Sequence, residues 1–119
     1  MQSGYSACHC VMCQRWASGP FLSASVEKVE FQGEENLTRY RSSEWAERAF
    51  CSICGSNLYF RVLKLDNVEM CVGVFDDKEG LVLSSEIFVD RKPDSYAFAG
   101  DHPRLTEKEA LEKYSSLAK

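Results

Sequence analysis

CSICGSNLYFRVL, residues 51–63, carries the reading of the fold. Its second half, NLYFRVL, is rich in aromatic and branched side chains that suit a pleated, half-buried surface, so it is expected to be a strand. Its first half sets Cys51 and Cys54 two residues apart with Gly55 directly behind them. Two thiolates at that spacing can converge on one tetrahedral ion at zinc–sulfur distances near ~2.3 Å. A glycine in that place permits a positive φ and lets backbone amides approach the sulfurs, as in a metal-binding knuckle. A thiol oxidoreductase would want the pair at a helix N-terminus, where the dipole lowers a thiol pKa. Here a strand follows, which favours metal.

Working outward, further strands are expected at 21–26, where FLSASV alternates at a period of two, and at 37–41, 48–50, 68–75 and 82–89. A helical turn is expected over 11–17, ended by Ser18-Gly19-Pro20. Polar turns are expected at 33–36 and 76–80, the second including Asp76 and Asp77. One terminal helix is expected at 106–117, where Thr106 and Glu109 have the spacing of a capping box. Many short strands and a single late helix argue for a mainly β fold.

The length of 119 residues bounds this to a single domain, 1–119, too short for a Rossmann dehydrogenase or a TIM barrel. A net charge of −4 and a pI near 5.2 give no broad basic field, so sequence-independent nucleic-acid binding is disfavoured. No apolar run reaches the ~20 residues that cross a bilayer. The opening MQSGYSA has neither the charged start nor the apolar middle of a secretory leader. The expected location is cytoplasmic, a reducing compartment in which clustered cysteines hold metal more often than they pair.

Five of the six cysteines fall in two clusters. Cys8, Cys10 and Cys13 form a C-x-C-x2-C run that can wrap an ion from one side and leave the other open. Three protein ligands plus an open position is the arrangement of catalytic zinc, and sulfur donors select zinc over magnesium or calcium. The alternative is that the two clusters together build one structural site of four cysteines, with one cysteine spare. Cys71, in an apolar strand pattern, reads as a buried small hydrophobe. His9, between two proposed ligands, could shuttle protons, or could simply face solvent or pair with the backbone. His102 reads as a surface loop residue. Arg15, Arg48 and Arg91 could meet carboxylates or be solvated charges. Trp16 and Trp45 read as core.

These motifs occur in an order that resembles a known family. CHCVMCQRWASGPF (8–21), YRSSEWAERAFCSICGSNLYF (40–60), VGVFDD (72–77) and EIFVDRKPDSY (86–96) are similar to the glutathione-dependent formaldehyde-activating enzymes and their centromere-protein-V relatives. The resemblance runs from about residue 6 to 105. It implies an Mss4-like, β-rich zinc-binding fold with two zinc sites in complete members. By position, Cys8, Cys10 and Cys13 would hold the catalytic zinc near which glutathione binds, and Cys51 and Cys54 would be half of a structural site.

The other half of that structural site is, in the family, a C-x-C-G motif on an upstream hairpin, and the sequence starts after it. A truncated product with Met1 as a wrongly chosen start, loss of the structural zinc, or unusual partners for Cys51 and Cys54 would each account for this. Weakened stability, or compensation by a homodimer, is expected to follow. The activity implied is that of a carbon–sulfur lyase joining the glutathione thiol to formaldehyde or a related aldehyde. The alternative is a non-catalytic zinc-stabilised binding module, against which the acidic balance leans.

Overall fold

The computed structural model describes residues 3–118. Its elements are β1 (Ser3–Cys8), α1 (Val11–Ala17), β2 (Phe21–Val26), β3 (Leu37–Arg41), β4 (Ala46–Cys51), β5 (Asn57–Val62), β6 (Val68–Cys71), β7 (Leu81–Ile87), β8 (Arg104–Leu105) and α2 (Glu107–Ala118). The eight strands form one sheet in the order β3-β4-β5-β6-β2-β1-β7-β8. The run from β3 to β1 is antiparallel, and β1 pairs parallel with β7, as β7 does with β8. The mainly β reading holds, with α2 as its late helix.

Ala49, Tyr59 and Met70, from three adjacent strands, make the buried centre of the long arm of the sheet. Ala46 and Ala49 on β4 are sealed, and their small side chains leave room for larger ones on either side. At the other end, α2 is capped as its sequence indicates. Thr106 Oγ1 accepts from the Glu109 amide at 3.2 Å, while Glu109 Oε1 accepts from the Thr106 amide at 2.9 Å. The start of α2 is docked by the Glu107 amide donating to Asp90 Oδ1 at 2.8 Å.

Three details depart from expectation. Strand β6 stops at Cys71, because Val72–Val74 winds into a 3-10 turn. Strand β7 stops at Ile87, because Phe88 takes a left-handed conformation with φ 58° and turns the chain away. Strands β1 and β8 were not expected from local pattern. Apart from Tyr5, SGYSAC is made of small residues with weak strand preference, and β1 is a strand because β2 and β7 pair with it on both sides.

Candidate metal centre

Strand β1 ends at Cys8, the chain turns through His9, and Cys10 is the N-cap of α1. The Cys10 sulfur accepts from the Cys13 amide at 3.4 Å, so a prospective ligand also satisfies the first turn of the helix. One helical turn then returns Cys13 to the same side as Cys10. The three sulfurs lie within 4.8 Å of one another. Cys13 is buried, whereas Cys8 and Cys10 are half-buried, which leaves one side of the cluster open. None of the six cysteines is paired in a disulfide.

Three thiols this close cannot all ionise unaided. Hydrogen bonding from Cys13 and Cys8 holds the Cys10 thiol down to about 2. Hydrogen bonding to Cys10 and Cys13, with burial behind it, pushes Cys8 far up, and Cys10 likewise raises Cys13. Each ionised sulfur opposes ionisation of its neighbours, and a cation among the sulfurs would relieve that opposition. An all-sulfur donor set with one face accessible suits a soft or borderline divalent ion, zinc among them.

The cluster is braced by residues for which the sequence pattern suggested another role or none. His9, expected to shuttle protons or to face solvent, has no exposed surface, and its Nε2 lies 2.8 Å from Glu86 Oε1. His102, expected at the surface, is also buried at its side chain, with Nε2 2.6 Å from Glu86 Oε2. Arg104 Nε donates to the same oxygen at 3.0 Å. Burial alone would raise the Glu86 carboxyl, but the bonds from His102 and His9, with the Arg104 charge, outweigh it and hold it below its usual range. An ionised carboxylate only accepts, so both imidazoles donate through Nε2. Gln14 Nε2 completes the brace, donating to the His9 carbonyl at 2.7 Å and to the Arg91 carbonyl at 2.8 Å.

Glu86 faces inward because β7 is irregular. Tyr5 pairs with Leu83 and Ser6 with Ser85, so Ser84 is the extra residue of a bulge, opposite no residue of β1, with its Oγ donating to the Tyr5 carbonyl at 3.0 Å. Such a bulge re-aims the side chains beyond it, and the alternation begun by exposed Val82 and Ser84 breaks at Glu86. The only signal in the sequence was a charge inside the apolar stretch EIFV.

Of the arginines, Arg48 corrects the reading of a solvated or substrate-facing charge. It is 4% exposed, its guanidinium lies 4.7 Å from the Trp16 ring centroid and 4.8 Å from that of Phe60, and Nη2 donates to Cys13 Sγ at 3.6 Å. Arg91 is exposed and tied to Glu107, whereas Arg15 is exposed on α1 beside the site. Trp45, expected in the core, is 47% exposed against Phe60. Cys71 is half-buried, and its surroundings push its thiol up to about 11. Asp77 is the turn residue expected, accepting from the Glu79 amide at 2.9 Å.

Cys51 and Cys54 lie in a tight turn at the end of β4, with Gly55 in the positive-φ conformation expected of it. The Cys51 amide donates to the Ser56 carbonyl, the Gly55 amide donates to the Cys51 carbonyl, both at 2.8 Å, and Gly55 has φ 79°. Among the described residues no third donor joins them, and they do not lie with Cys8, Cys10 and Cys13. The single four-cysteine site is therefore not formed.

Comparison with known proteins agrees with the motif order. The family model for the glutathione-dependent formaldehyde-activating enzyme matches residues 2–91. A Schizosaccharomyces pombe protein described as an uncharacterized lyase is 35% identical over 108 residues, covering 89% of this chain and 79% of that protein. The crystal structure of a Rhodobacter sphaeroides protein shares the fold, with a TM-score of 0.53 at 19% identity, over 84% of this chain and 79% of that one.

Proposed function

Because the chain belongs to the glutathione-dependent formaldehyde-activating enzyme family, we propose that it is a zinc-dependent carbon–sulfur lyase. It would join the glutathione thiol to formaldehyde or a related aldehyde to give S-hydroxymethylglutathione. The observation that carries this reading is the convergence of Cys8, Cys10 and Cys13 within 4.8 Å, with Cys8 and Cys10 partly accessible. These three residues would hold the metal. A zinc ion there would supply an open position at which an incoming thiol is kept as thiolate.

The chain's own residues do the rest. Cys10 caps α1 and Cys8 ends β1, so the donors are set by two elements rather than by a free loop. The addition forms one C–S bond, opens the carbonyl double bond, and moves the thiol proton to the new hydroxyl. His9 is committed to Glu86 and sealed, so its role is to hold the cysteine turn rather than to exchange protons with solvent. Water reaches the half-exposed side of the cluster and can carry the proton there. Arg15 shares the exposed face of α1 with Val11 and Met12, and that exposure supports it as the basic side chain that would meet a glutathione carboxylate.

The test is the rate of glutathione–formaldehyde interconversion, followed by exchange NMR with the uncatalysed rate subtracted. Zinc-loaded protein should accelerate it, while metal-stripped protein and C13S should not. Equal rates in loaded and stripped protein would remove the proposal.

A further inference from the structure

We infer that Arg48 is the counter-cation of the Cys8, Cys10 and Cys13 centre, a positioning residue that orients Cys13 and offsets the negative charge gathered on the sulfurs. This rests on the reading that the cluster holds a metal, and goes beyond it by assigning a residue outside the ligand set.

A buried arginine ordinarily meets a carboxylate. Among the described residues none lies within ion-pair reach of Arg48. It donates to the Cys13 sulfur at 3.6 Å, and its Nη1 is buried with no hydrogen-bond partner among the described residues. Trp16 follows Cys13 by three residues on α1, so one helix face presents both a ligand and a stacking ring to the guanidinium. From the sheet, Phe60 pairs with Arg48 across β4 and β5 and closes the other side. The cation thus lies against aromatic rings with one donor, Nη2, directed at sulfur, and it is too deeply buried to receive a substrate carboxylate.

The charge count gives the placement its purpose. Three thiolates and a divalent ion sum to −1, and Arg48 brings the assembly to neutrality. An incoming thiolate then meets a neutral centre rather than a negative one.

The experiment titrates the full-length chain with Co2+ against a competing chelator and records the sulfur-to-cobalt charge-transfer band, with a thermal melt of each apo variant. R48M and R48Q should bind Co2+ about 10- to 100-fold more weakly than wild type, with a shifted band. R48K, which keeps the charge, should recover most of the affinity. If R48M does not fold, R48Q against R48K carries the same neutral-versus-charged comparison. Wild-type affinity and an unchanged band in the neutral variants, with only their melting temperatures lowered, would show Arg48 to be packing alone and overturn the inference. Failure of the wild type to bind Co2+ would instead fell the metal reading, and this inference with it.

Discussion

Glu86 collects three donors from two separated parts of the chain: His9 in the cysteine turn, and His102 and Arg104 just before and at the start of β8. Replacing it by glutamine keeps the shape but leaves one oxygen to serve two imidazoles, so a buried donor goes unpaired. E86Q is expected to lose about 1–3 kcal/mol of stability, read from a denaturant melt. The pH dependence has a definite sign. The folded-state carboxyl is held below its ordinary value of 4.5, so its contribution is complete above that pH and is lost as the pH falls through the lower folded value. Wild type should therefore destabilise below 4.5 more steeply than E86Q, and parallel acid limbs would contradict the network.

Among the elements, α1 positions more of the site than its seven residues suggest. It supplies Cys13, the Trp16 ring and the Gln14 amide, and the Gln14 side chain ties the His9 carbonyl to the turn at Arg91. Q14A is expected to cost about 1 kcal/mol. It should also weaken metal binding about tenfold, measured by chelator competition, because the cysteine turn loses its anchor. Unchanged affinity would place the rigidity of that turn elsewhere. Local pattern was sufficient for α1, β2 and β3, where turn signals and alternation agree with the pairing that forms. It was insufficient for β1 and β8, which are strands through their neighbours, and for β7, where the bulge at Ser84 turns Glu86 inward. The cysteine spacing pointed to Cys8, Cys10 and Cys13, which the fold brings within 4.8 Å of one another. The residues behind them, Glu86, His102 and Arg48, depend on contacts between distant segments, which spacing does not encode.

For the whole molecule, a parallel β1–β7 pair joins the strand that ends in Cys8 to the strand that carries Glu86, so the three-cysteine cluster is tied to the sheet through Cys8. Metal binding in a small domain feeds directly into folding free energy, and a centre placed across that junction would stabilise both arms. The most direct measurement is zinc-edge X-ray absorption on the zinc-loaded chain, with and without glutathione, repeated on C51S/C54S to isolate the first cluster. The expected result is three sulfurs and one lighter donor without glutathione, changing to four sulfurs with it. Four sulfurs in the absence of glutathione, or a coordination shell that glutathione leaves unchanged, would contradict an open three-cysteine centre.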